Sequence, residues 1–104
     1  MDYVEFVASL EAKAPPVSAN VALRALWYDA NDRGESAMRA ALSDDSYATM
    51  RARAYLHRKA GDEFAAQKCY WLSGASAWVG SLPSEWEDIA RSIMIETIVE
   101  NSYL

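Results

Sequence analysis

Two reactive side chain types occur once each in this chain, His57 and Cys69, twelve residues apart. A cysteine and a histidine on facing helices can form a nucleophilic pair. Such a pair usually needs a third group to orient the imidazole, and the sequence supplies none. His57 falls on the stripe Met50, Ala54, His57, at steps of four and three, which makes it a packed core histidine. Cys69 sits beside Tyr70 and Trp71 on an apolar stretch, the setting of a buried, unreactive thiol. A small-ligand pocket is the other chemistry open to this region. Trp27, Tyr28, Tyr70 and Trp71 would line it, and His57 and Arg58 would polarise it. Metal binding is not expected, because there is no second histidine and no Glu-x-x-His pair. The four glycines form no phosphate-binding loop, so no cofactor is expected either.

Arg51, Tyr55 and Arg58 offer a different chemistry. They stand at i, i+4 and i+7, on one helical face, and span about 10 Å at about 1.5 Å per residue. Two guanidinium groups flanking a tyrosine can hold a carboxylate or phosphate on a partner. Alternatively, the same face is solvated and paired with Asp44, Asp45 or the acidic C-terminal helix. The charge distribution draws attention to it. The chain carries −5 overall. Residues 1–50 contribute −4, residues 51–68 +3, and residues 69–104 −4.

The elements that position these residues read as helices. "DYVEFVASLEA" has Tyr3, Phe6, Val7 and Leu10 at helical spacing, and "KAPP" stops it. Ser18 is the expected N-cap of "ANVALRALWYDA", where Val21, Ala22, Ala25, Leu26 and Asp29 share a face. "ESAMRAAL" follows the turn "NDRGE". "SDDS" precedes "YATMRARAYLHRKA", which Gly61 ends. "EFAAQKCYWLS" comes next, and then the loop "GASAWVGSLP". Ser84 and Glu87 have capping-box spacing for the last helix, with Glu85, Glu87 and Asp88 placed to favour its positive end. No stretch alternates as a strand would. The expectation is an all-α fold of about six helices in one domain, residues 1–104. Its centre is two antiparallel helical hairpins, with an extra helix at each end.

Taking Gly61 as a hairpin turn, Ala54 lies seven residues before it, Ala66 five after and Tyr70 nine after. This spacing resembles the tetratricopeptide repeat, whose small residues let two helices approach and whose aromatic fills the space between hairpins. Met50, His57 and Ser73 depart from that pattern, and its closing proline is absent. The first hairpin, turning at Asp32 with Ala25, Ala37 and Ala41, fits more loosely. Its turn lies 29 residues before the second. The resemblance implies that the Arg51–Tyr55–Arg58 face lines a groove. The phrases "AYLHRKAGD" and "SLPSEWEDIA" are also similar to a family of small helical bacterial proteins with no assigned activity.

Composition narrows the function classes. An acidic pI near 4.7 opposes general nucleic-acid binding. One cysteine makes no internal disulfide, the N-terminus is acidic where a secretory signal would be basic, and no apolar run reaches membrane-spanning length. A cytoplasmic, non-membrane protein is the expectation. The last helix is apolar nearly all round, so Ile95 and Ile98, with Trp78 in the preceding loop, are candidates for a homodimer surface. Two functions follow. One is a non-catalytic interaction module that takes a protein or peptide bearing an acidic group. The other is a small enzyme or ligand-binding protein with an aromatic pocket around His57.

Overall fold

The computed structural model describes the backbone of residues 1–102, and side chains in the last helix as far as Met94. Among the described residues there are six helices and no strand: α1 (Tyr3–Ser9), α2 (Val21–Ala30), α3 (Gly34–Ala41), α4 (Tyr47–Lys59), α5 (Glu63–Ser73) and α6 (Leu82–Ser102). Short polar side chains start four of them. Asp2, Asn20, Ser46 and Asp62 each accept a hydrogen bond from a backbone N–H in the first turn of α1, α2, α4 and α5.

Two starts differ from expectation. Asn20, not Ser18, caps α2, because Pro16 to Ala19 close a turn of their own (Ala19 N to Pro16 O, 3.0 Å) and bury Ala19. Helix α6 begins near Leu82, ahead of Ser84. Pro83 is compatible with a first helical turn, where its missing N–H needs no partner. Ser81 provides the cap, its Oγ accepting from Ser84 N at 3.2 Å.

Helices α2 and α3 form one hairpin, and α4 and α5 another, each joined by three residues. The two turns are built alike. Arg33 N donates to Tyr28 O at 2.9 Å, and Asp62 N donates to His57 O at 2.9 Å. Each loops around a residue in the left-handed region, Asp32 (φ 58°) and Gly61 (φ 84°). This is the helix-ending motif in which glycine is favoured and aspartate tolerated.

Alanines set the helix approaches. Ala22, Ala25, Ala37, Ala41 and Ala52 are buried in the main core with Phe6, Leu26 and Trp27. A smaller cluster lies inside the second hairpin, where Ala54 and Ala66 meet Cys69 and Tyr70. Helix α6 does not extend the α5 side of the array. It lies across α1, α2 and α4 and completes the core with Ile89, Ala90, Ile93 and Met94. Trp86 stacks on Phe6 (centroids 5.8 Å apart, 18° between planes), and its Nε1 donates to Leu26 O at 3.0 Å. Trp27 Nε1 in turn donates to Ser9 O at 3.0 Å, tying the end of α1 to α2.

Ala66 is the tightest test of this packing. It is 3% exposed, inside the second hairpin. Ala66→Leu is expected to lower stability by about 1–3 kcal/mol, the usual effect of overpacking, read as a fall in urea midpoint. An unchanged midpoint would mean that α4 and α5 do not meet there.

Candidate functional site

The α4 face that carries Arg51, Tyr55 and Arg58 is covered. Helix α6 crosses it and presents carboxylates. Arg51 pairs with Asp88 through Nη2, and its Nη1 donates to Ser92 Oγ at 3.3 Å. Arg58 pairs with Glu85 (Nη1 to Oε1, 3.1 Å) and donates through Nη2 to the Gly80 carbonyl. Tyr55 is 3% exposed, and its hydroxyl donates to Asp29 Oδ2 at 2.7 Å. Of the two readings of this face, the structure shows the paired one: Arg51 and Arg58 meet the acidic last helix rather than line an open groove. The acids are on this chain, supplied by α6 and α2.

Two polar centres result, and they are built from the same parts. In one, the fully buried Glu85 accepts from the Tyr70 hydroxyl and from Arg58. In the other, Asp29, 6% exposed, accepts from the Tyr55 hydroxyl and from Lys59 Nζ at 2.9 Å. Each is a carboxylate, a tyrosine and a cation, so each buried oxygen has a donor. Burial foremost, and then the hydrogen bond to its carboxylate, pushes each tyrosine hydroxyl well above its ordinary titration range.

Gly80 belongs to the first centre as well. A Cβ built there would lie 2.7 Å from Trp78 Nε1 and 2.9 Å from Ser84 Oγ, so a larger residue would push both side chains aside. Trp78 Nε1 donates to Ser84 Oγ at 3.1 Å, and the Arg51 guanidinium lies 5.8 Å from its ring centroid. Trp78 is therefore partly buried against its own chain. Ile95 and Ile98, its proposed companions in a self-association surface, lie outside the described side chains.

The expected aromatic pocket is not assembled. Trp27 is fully buried in the main core, and Tyr70 belongs to the smaller cluster. Trp71 is 80% exposed. Tyr28 meets Trp27 edge-on at 5.5 Å but lines a separate cleft with Arg24 and Arg39. His57 is partly exposed in the last turn of α4, not part of the core stripe expected for it. Cys69 is buried and makes no hydrogen bond to His57. Burial pushes its thiol upward, away from the reactive thiolate. Among the described residues no group of three or more His, Cys, Asp and Glu is arranged to hold a metal ion, and no helix is long and apolar enough to cross a membrane.

Two surface features went unnoticed in the sequence. The first is the outer pole of α5. Its buried side carries Ala66, Cys69 and Tyr70; the opposite side carries Phe64, Lys68 and Trp71 at i, i+4 and i+7. Phe64 is 86% exposed, and Lys68 forms no ion pair among the described residues. The second is an open groove of about 600 Å³ where α1, α2, α4 and α6 converge. Comparison with protein families, with curated proteins and with solved structures finds no match to this chain.

The buried tyrosines give stability a definite pH dependence. An unfolded tyrosine titrates near about pH 10, whereas Tyr55 and Tyr70 hold their protons more tightly when folded. Their contribution is therefore complete below about pH 10. It declines as pH rises from there toward the folded-state values, by at most about 1.4 kcal/mol per pH unit for each group. Urea midpoints should fall between about pH 10 and 11.5, and Tyr70→Phe should make that fall shallower. A midpoint that is flat across this range, or an unaltered slope in the variant, would contradict the assignment.

Proposed function

We propose that this protein is a non-catalytic helical interaction module, and that the outer pole of α5 is its docking ridge. The observation that carries the reading is the pair Phe64 and Trp71, both more than three-quarters exposed on one helix pole. Large aromatics are the side chains that most often dominate binding energy at interfaces, and contiguous exposed apolar surface is uncommon in a monomer. Lys68 lies between them with no internal counter-ion, so the favoured partner presents an acidic group flanked by apolar surface. This keeps an acid-bearing protein partner but places it one helix away from Arg51, Tyr55 and Arg58, whose charges are matched within the chain. The tetratricopeptide-like spacing of the second hairpin accords with a binding role.

The test is capture of partners from the source organism on the immobilised chain, followed by titration of each purified partner. Trp71→Glu should weaken binding by about 30-fold or more, the effect of losing an aromatic anchor worth about 2 kcal/mol. Lys68→Glu should weaken it further at low salt than at high salt, because exposed charges are screened beyond about 10 Å at 0.1 M. Equal affinity for the wild type and both variants would refute the ridge.

A further inference from the structure

The ridge on α5 has a physical counterpart on the same molecule. The groove of about 600 Å³ is walled by Tyr3, Leu10, Leu82 and Trp86, all partly buried apolar or aromatic side chains. Its rim is acidic. Asp29 is satisfied by Tyr55 and Lys59, and Glu87 accepts from Tyr3 (3.3 Å) beside Arg91 (3.6 Å). Asp32 is exposed and forms no ion pair among the described residues. Asp29 and Glu87 are thus matched by Lys59 and Arg91, and one negative charge, that of Asp32, is left over at the groove. No residue of α5 lines the groove, so ridge and groove are separate surfaces of one chain.

The two are opposite in each property that governs docking. The ridge is a protruding pair of aromatics about 10 Å apart along the helix, with an unpaired ammonium between them. The groove is concave and apolar, with an unpaired carboxylate at its edge. Resting on the reading of α5 as a docking ridge, we infer that the partner which fits it is a second copy of this chain. The Phe64–Lys68–Trp71 ridge of one copy docks in the Tyr3–Leu82–Trp86 groove of the next, with Lys68 meeting the acidic rim. Opposite charges across the contact steer encounter and fix orientation. A contact between two different surfaces is heterologous. Each copy keeps one free ridge and one free groove, so the assembly closes as a ring or grows as a chain.

Complementation between variants tests this directly. Trp71→Glu spoils the ridge and leaves the groove; the double change Pro83→Lys with Glu87→Lys, both at exposed positions, spoils the groove and leaves the ridge. Far-ultraviolet circular dichroism confirms folding of each, and Phe64→Glu and Glu87→Lys alone serve as replacements if one fails. By sedimentation, the wild type should exceed the monomer mass of 11.6 kDa increasingly with concentration. Each variant alone should remain a monomer, and an equimolar mixture should give a dimer and nothing larger. A wild type that stays monomeric at millimolar concentration would overturn the inference. So would a groove variant that self-associates like the wild type, which would mean that ridges pair with ridges and would leave the ridge reading intact. Ridge variants that self-associate undiminished would overturn both.

Discussion

Glu85 is a carboxylate with no exposure to water, on the helix that closes the core. Burying it without partners would cost several kcal/mol, so whatever surrounds it must supply donors. Two segments meet that demand, Tyr70 from α5 and Arg58 from α4, and the Ser81-capped start of α6 places Glu85 in the first turn between them. Satisfying one group fixes the position of α6 relative to both helices of the second hairpin. The Gly80 bend and the Trp78 loop follow, since Arg58 also binds the Gly80 carbonyl. The groove lies where α6, seated on α4 and α2, meets α1.

The Asp29 centre repeats the arrangement one helix away. Its presence explains why α4 is so basic in an acidic chain. Arg51, Arg58 and Lys59 each meet a carboxylate from α2 or α6, and Arg53 turns to α3, donating to Ala41 O at 2.9 Å and pairing with Asp45 at 3.3 Å. The positive segment is the internal complement of its neighbours. Within residues 51–68, Lys68 on α5 is the cation that forms no ion pair among the described residues.

What could be read in the sequence followed the range of the forces involved. Helix existence and the two hairpin turns depend on caps, glycine and short-range periodicity, and all six helices were legible within a few residues. The buried small residues Ala54 and Ala66 were legible from their spacing about Gly61. Pairing of the α4 arginines with the acidic last helix was legible as one of two alternatives; the rest of the docking of α6 was not, because it depends on contacts between residues 15 to 84 positions apart. Glu85 looked like an ordinary first-turn acid until its neighbours were in place. Asp29 did leave a trace, as a charged residue on an otherwise apolar face of α2. The α5 ridge was visible in principle, since Phe64 and Trp71 lie opposite Ala66 and Cys69. Assigning Trp71 to a pocket with Tyr70 overlooked that adjacent helical residues point about 100° apart.

The dependence of α6 docking on the Arg58–Glu85 pair is measured most directly by a double-mutant cycle in urea. Arg58→Met and Glu85→Leu should each destabilise strongly, by about 2–4 kcal/mol, because each leaves a desolvated partner uncompensated. The double variant, with an apolar pair in place of the ionic one, should be more stable than the sum of the single losses implies, by about 1–3 kcal/mol. Additive losses, with no coupling between the two positions, would contradict the account.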